Sequence, residues 1–103
     1  MQVIKDLSEK ISEEIQDATS YAKMALELRT SYPDAAKTLY SISLEEMEHM
    51  KRIHDAVAEI IEDYRKEKGP PPAGMAAVYD YLHKQQIEKA AEARTLQGMY
   101  KEA

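Results

Sequence analysis

A run of prolines and glycines at residues 68–74 constrains this chain more than any other feature of its sequence. The run reads KGPPPAG, and no helix continues through it, because each proline lacks a backbone donor and clashes with the preceding turn. A second break, TSYP, lies at residues 30–33. The two breaks divide the chain into three segments, at about 3–30, 33–67 and 75–101.

All three segments are rich in Ala, Leu, Glu, Lys and Met, which favour helix, and none shows the sustained alternation typical of a strand. Ser31, Pro33 and Asp34 predict an N-cap, a first-turn proline and a first-turn acid. The short break predicts that the first two helices form an antiparallel hairpin. The third helix, after the proline run, packs either on this hairpin or on another subunit. We therefore expect an all-α fold, with residues 1–103 as a single domain.

Composition excludes several classes of function. Lys and Arg number 14 against 19 Asp and Glu, which gives a net charge of −5, and such a chain is a poor partner for nucleic acid or anionic membrane. It contains no cysteine, which excludes disulfides, thiol catalysis and cysteine-bound zinc. No leader is evident, and no apolar stretch approaches the roughly 20 residues of a membrane helix. We expect a cytoplasmic protein.

Three polar residues interrupt the predicted inward faces of the first two helices. On the first helix this face is Leu7, Ile11, Glu14, Ala18, Tyr21, Ala25, Leu28 and Tyr32. On the second helix it is Ala35, Leu39, Ile42, Glu46, His49, Met50, Ile53, Val57, Ile60 and Tyr64. Glu14, Glu46 and His49 therefore stand among apolar neighbours. By contrast, the opposite, solvated face of the second helix carries Glu45, Glu48, Arg52, Asp55, Glu59 and Glu62, and Glu13 and Asp17 lie off the apolar line of the first helix.

The hairpin also places these three residues at one level. If Glu14 pairs with Glu46, the turn is centred at residue 30, where the turn signal lies. A buried, unpaired carboxylate costs several kcal/mol, and neither inward face supplies a Lys or Arg. A divalent cation would serve, since Glu-x-x-His directs both side chains the same way. The alternatives are a Glu at the edge that reaches water, or a protonated Glu bonded to a tyrosine; three residues at one level favour metal.

Other polar and polarisable side chains carry no site prediction. His54 lies five residues after His49, an offset unhelpful for shared ligation, and we expect it to be partly exposed. His83 has no acid partner at helical spacing on its inward side, so we expect a structural or surface role. We expect Glu88 and Glu92 to be solvated. We expect Met24, Met47 and Met50 to fill the core.

The residues of the first two helices resemble a known pattern. Glu14 is followed by Tyr21 two turns later, and Glu46 and His49 form Glu-x-x-His within LEEMEHM. This pattern resembles the ferritin-like superfamily, most closely its rubrerythrin and encapsulated-ferritin branches, over about residues 8–62. The resemblance implies that Glu14 and Glu46 are carboxylate ligands, with Glu46 bridging two irons. It further implies that His49 is a terminal ligand and that Tyr21 lies close to the metal without binding it.

The chain departs from the family in carrying only one such motif. A complete di-iron bundle uses a Glu and a Glu-x-x-His twice, from four helices, and the third helix here contains no Glu-x-x-His. The resemblance implies that this half-bundle is completed to four helices by homodimerisation, with two metals held by four Glu and two His. A larger homo-oligomer is equally compatible. Nothing in the sequence supports an encapsulating shell as partner.

Iron is the predicted metal, because a carboxylate-rich set with imidazole is harder than most zinc sites; manganese and zinc stay open. Two Fe(II) ions suit ferroxidase chemistry or the reduction of peroxide or oxygen. No four-cysteine, rubredoxin-type site accompanies them, since cysteine is absent. The alternative function is a non-enzymatic helical dimerisation or adaptor protein with a degenerate or structural metal site.

Overall fold

A computed structural model describes residues 1–102, which form three α-helices and, within that range, no strand. Helix α1 spans Gln2–Leu28, α2 spans Pro33–Lys68 and α3 spans Ala73–Glu102. The prediction of an all-α chain with three helices is confirmed. Each helix begins and ends within two residues of the expected position.

The boundary between α1 and α2 differs from the prediction in one detail. Pro33 is at the start of α2 and Asp34 is in its first turn, but the N-cap is Tyr32 and no side chain caps the helix, so the prediction of Ser31 as N-cap is wrong. The physical reason is that a residue before proline is kept out of the helical region. Tyr32 accordingly has φ −138° and ψ 69°, which moves the boundary one residue later.

The α2–α3 linker is shorter than the predicted 68–74, because helix continues through Lys68 and resumes at Ala73. Gly69 ends α2 with φ 78° and donates its backbone N–H to the Arg65 carbonyl at 2.9 Å. Only glycine adopts this positive φ without a Cβ penalty. The three prolines then separate the two helices.

All three helices lie along the long axis of a rod that measures 55 × 19 × 18 Å. The 36 residues of α2 span about 54 Å at 1.5 Å per residue, which only the longest dimension accommodates. Helix α1 packs against both of the others, whereas α3 packs mainly on α1 and only sparsely on α2. Among the described helices, none carries an apolar run sufficient for a membrane span.

Small and aliphatic side chains of α1 form the centre of the core. The buried residues of α1 are Ile4, Ile11, Ile15, Ala18, Ala22 and Ala25. Those of the other helices are Ala36, Ser43, Met47 and Met50 on α2, and Ala90, Ala93 and Gln97 on α3. Alanines at the contact let the helix axes approach closely, so the core is thin and long rather than bulky.

The face of α2 that is buried in the core is not the predicted face but a neighbouring one. The predicted positions Ile42, Glu46 and Ile53 are half-buried, and Ala35 and His49 are exposed, which corrects those two assignments. On α1 the predicted Ile11, Ala18 and Ala25 are buried, but Leu7, Glu14, Tyr21 and Leu28 are half-buried, and Tyr32 is exposed. The reason is that α3 covers the other side of the α1–α2 pair, a position that helical spacing does not reveal. Met24, expected in the core, is exposed for the same reason.

A buried hydrogen-bond chain joins all three helices. The Ser43 hydroxyl on α2 donates to the Ala18 carbonyl on α1 at 2.6 Å, and the Gln97 amide on α3 donates to the same hydroxyl oxygen at 2.8 Å. Both polar side chains are buried. Because buried polar groups are stabilising only when paired, this chain fixes the register of α3 against the other two helices.

Candidate metal centre

Glu14 on α1 and Glu46 and His49 on α2 form one cluster. Each offers a ligand atom, and these atoms all lie within 4.8 Å of one another. The i, i+3 spacing on α2 puts the carboxylate and the imidazole on the same side of that helix, and α1 brings the second carboxylate to the same level. The three residues singled out by the sequence are thus brought together.

The imidazole lies between the two carboxylates. His49 Nδ1 is 3.7 Å from Glu14 Oε2 and 3.9 Å from Glu46 Oε1. Two ligand atoms around one transition-metal ion are separated by at most about twice the bond length of roughly 2.1 Å, that is about 4.2 Å. Both separations fall below this limit, and all three ligand atoms lie within 4.8 Å of one another, so the cluster has the dimensions of a site for one ion.

Burial is uneven across the cluster. The exposed fraction of the side chain is 24% for Glu14 and 19% for Glu46, but 51% for His49. Glu14 Oε2 itself is buried and, within residues 1–102, no hydrogen-bond donor reaches it. No Lys or Arg of the described chain forms an ion pair with either carboxylate. The cluster therefore presents a buried acceptor that a cation or a proton would satisfy.

Proximity of the two carboxyl groups perturbs their protonation. The pKa of Glu46 is raised from 4.5 to about 7, first because a hydrogen bond with Glu14 favours its protonated form, and then because of burial and the charge of Glu14. His49 opposes this rise, and Asp17 adds to it. Without a metal, one proton held between the two carboxyl groups supplies the donor that Glu14 otherwise lacks.

The cluster opens into a surface groove with apolar walls. Leu7, Ile53 and Ala56 line this groove together with Glu14, His49 and Arg52, and its volume is about 420 Å³. Half-buried apolar side chains continue along the same side of both helices at Tyr21 and Leu28 on α1, and at Ile42, Ile60 and Tyr64 on α2. We call this set, with Leu7 and Ile53, the apolar strip.

The structure separates the remaining candidates from the cluster. Tyr21 is half-buried two turns after Glu14, and in the described part of the chain it makes no hydrogen bond with the three clustered residues. His54 is partly exposed, as predicted, and its ring stacks on that of His83, with centroids 5.3 Å apart. Glu88 and Glu92 are exposed, as expected.

Two features escaped sequence reasoning. Arg52 lines the groove together with His49, so its predicted position on the opposite face of α2 is wrong; its place three residues after His49 is the signal that could have found it. The buried pair Ser43 and Gln97 was missed as well. Ser43 lies seven residues after Ala36 and four before Met47, and that helical spacing would have placed it among the core positions of α2.

Comparison with known proteins adds no relative: no protein-family model, curated protein or solved structure matches this chain. The ferritin-like resemblance therefore stays a prediction that rests on the residues themselves.

Proposed function

We propose that this chain is a ferritin-like, non-haem iron protein that assembles a di-iron site at a homodimer interface, and that it oxidises Fe(II) or reduces peroxide or oxygen. The observation that carries the proposal is the cluster of Glu14, Glu46 and His49, whose ligand atoms lie within 4.8 Å of one another and in which the buried Glu14 Oε2 has no donor other than a proton shared with Glu46. Burying such an oxygen without a partner is costly, and a bound cation removes that cost.

The donor atoms support iron as the metal. Two carboxylates and one imidazole form a hard, oxygen-rich set, which suits Fe(II), with Mn(II) and Zn(II) as alternatives, and the chain contains no cysteine thiolate. When bound, iron supplies the electrons for oxygen or peroxide chemistry. The chain's own residues hold the ion and limit the access of water.

Each protein group has a defined task in this proposal. Glu46 releases the proton it holds near neutral pH as the metal binds, because a ligating carboxylate must be deprotonated. His49 ligates through Nδ1, the atom that faces both carboxylates. Leu7 and Ile53 provide apolar walls beside the ligands, which lowers the local dielectric and strengthens binding of the cation.

Dimerisation would complete both the ligand set and the fold. One chain offers three protein ligands, and the half-exposed His49 lies at the open side of the cluster. In the proposed dimer, α1 and α2 of each chain form an antiparallel hairpin, and the two hairpins pack across a two-fold axis as a four-helix bundle. This packing would bury the apolar strip of both chains and bring together four Glu and two His. Helix α3, which packs mainly on α1, is an accessory element of this assembly.

The activity test compares Glu46→Ala with Glu48→Ala, an exposed neighbour on the same helix. We expect the wild type and Glu48→Ala to accelerate the aerobic oxidation of Fe(II), or the consumption of peroxide by the iron-loaded protein. Glu46→Ala should give the rate of free iron. Equal rates for all three proteins would reject the proposal.

A non-enzymatic dimerisation or adaptor protein is the second candidate. The raised pKa of Glu46 favours it, because a shared proton satisfies the carboxyl pair at or below neutral pH without any metal. The two functions predict different effects of metal removal on the stability of the dimer. An adaptor retains its dimer in Glu46→Ala and in EDTA, whereas a dimer held by shared metals weakens in both, as sedimentation equilibrium would measure.

A further inference from the structure

A second cleft lies on the other side of the molecule, between α2 and α3. It exists because α3 packs mainly on α1 and sparsely on α2. Two adjoining cavities of about 240 and 280 Å³ form it. They share four lining residues, Ile11, His54, His83 and Gln86, so together they make one elongated trough. None of these residues lines the groove at the candidate metal centre.

One end of the trough is apolar. Val57 and Ile61 of α2 face Leu82 of α3 across it, and Ile4 of α1 lies at its floor. Along the whole trough, no Asp or Glu of the described chain is a lining residue. This end can hold an aliphatic group and supplies no carboxylate to a cation; its polar lining residues include Ser8 and Tyr79, and the Tyr79 hydroxyl accepts from the N-terminal ammonium at 3.0 Å.

The opposite end is basic. Lys51 on α2 and Arg94 on α3 line it among apolar side chains. The stacked rings of His54 and His83 line both cavities and lie between the two ends. Neither Lys51 nor Arg94 forms an ion pair within residues 1–102, and the exposed Asp55 has Oδ1 3.9 Å from His54 Nδ1. Basic side chains from two helices thus line one cavity that no carboxylate lines, on a protein whose net charge is −5.

Hydrogen bonds hold the wall of the trough in place. The amide of Gln86 on α3 donates to the carbonyl and the hydroxyl of Ser8 at 3.1 and 3.0 Å, and to the hydroxyl of Ser12 at 3.2 Å. These contacts tie the middle of α3 to α1. Because these hydrogen bonds already fix the wall, binding of a ligand costs little conformational entropy.

We propose that this trough binds a small amphipathic carboxylate, namely a straight-chain fatty acid of medium length. The carboxylate would lie between Lys51 and Arg94, and the chain would extend past the histidine pair toward Val57 and Leu82. Charge complementarity favours an anion over a neutral or cationic amphiphile, and the apolar end favours an aliphatic tail over a compact anion such as phosphate. The inference is independent of the proposed iron chemistry, since the two sites share no lining residue.

Calorimetric titration of the full chain with decanoate tests the proposal directly. Decanol and decyltrimethylammonium are the matched probes, because they carry the same tail with no charge or the opposite charge. We expect saturable binding of decanoate at one site, weaker binding of decanol, and none of the cation. Shortening the acid to octanoate should weaken binding about two- to fourfold per methylene group. Inorganic phosphate should not bind.

Variants locate the site. Lys51→Gln combined with Arg94→Gln should weaken decanoate binding about three- to tenfold, whereas Lys37→Gln, which changes the charge of α2 away from the trough, should leave it unchanged. Ile87→Ala, at an exposed lining residue, should weaken it without unfolding the chain.

The proposal would be overturned by no saturable binding of decanoate, by equal binding of decanoate and decanol, or by equal losses in the Lys37 variant and the double variant. Sedimentation of Ile87→Ala provides a further test. If this variant converts an oligomer into a monomer, the trough is an interface between copies of the chain, and the proposal is wrong.

Discussion

Replacing Glu46 by Gln should stabilise the metal-free protein and abolish its stabilisation by metal. In the structure the Glu46 carboxyl lies against Glu14, whose buried Oε2 has no donor in the described chain. Gln has nearly the same shape, carries no charge, and offers an N–H in place of the shared proton. The substitution therefore removes carboxylate repulsion but also removes a ligand.

The expected magnitude follows from the raised pKa of Glu46. A rise from 4.5 to about 7 corresponds to roughly 3 kcal/mol at pH values above both, since one pKa unit is about 1.36 kcal/mol. The side chain is 19% exposed, and solvent screening reduces this penalty. We therefore expect Glu46→Gln to raise the free energy of unfolding by about 1 to 3 kcal/mol at pH 8, a shift in Tm of roughly 4 to 20 °C.

The assay is urea unfolding, followed by circular dichroism, in EDTA at pH 8 and at pH 5. The increase in the free energy of unfolding caused by Glu46→Gln should be complete at pH 8. It should be much smaller at pH 5, where Glu46 of the native wild type is already protonated. Glu48→Gln, at an exposed position of the same helix, is the matched control and should change stability by less than about 0.5 kcal/mol. Saturating Fe(II) without oxygen should stabilise the wild type but not Glu46→Gln.

A lower stability of Glu46→Gln than of the wild type in EDTA at pH 8 would refute this reasoning. It would mean that the Glu46 carboxylate is stabilised by its surroundings, and that the proximity of Glu14 does not dominate its energy.

Four further predictions follow from the same structure. The free energy of unfolding of the metal-free wild type should decrease as the pH rises from about 4.5 to about 7, because over this range the Glu46 carboxyl binds more protons in the native state than in the unfolded state. Glu46→Gln should remove this contribution of Glu46 to the pH dependence. Gln97→Ala, which removes the buried donor to Ser43, should cost about 1 to 3 kcal/mol in urea unfolding. Ile53→Glu, which puts a charge on the apolar strip, should give a monomer in sedimentation and lose bound iron. His49→Ala, at a half-exposed side chain, should lose metal in elemental analysis while changing metal-free stability by less than about 1 kcal/mol.

Much of the local structure could be predicted from the sequence because it depends on short-range chemistry. Pro33 and the prolines after Gly69 delimit the helices whatever surrounds them. Glu14 and Glu46 could be placed together because the turn and the helical repeat fix their level on α1 and α2. These inferences need only the geometry of single helices and of one short connection.

The position of α3 could not be predicted, because it depends on packing between distant segments. Because α3 packs on α1, the buried face of α2 is the one that carries Ser43 and Met47, and His49 is exposed. The hydrogen bond from Gln97 to Ser43 spans 54 positions in sequence, and no local pattern signals such a pair. The helical spacing identified the clustered residues correctly but placed them too deep.

The measurement that tests the account most directly is the iron content per chain after anaerobic loading with Fe(II) and desalting, for the wild type, Glu46→Ala and Glu48→Ala. We predict about one iron per chain, hence two per two-fold dimer, in the wild type and in Glu48→Ala, and none in Glu46→Ala. A wild type that retains no iron, or a Glu46→Ala variant that retains as much as the wild type, would contradict the assignment of Glu14, Glu46 and His49 as the ligands of a metal centre.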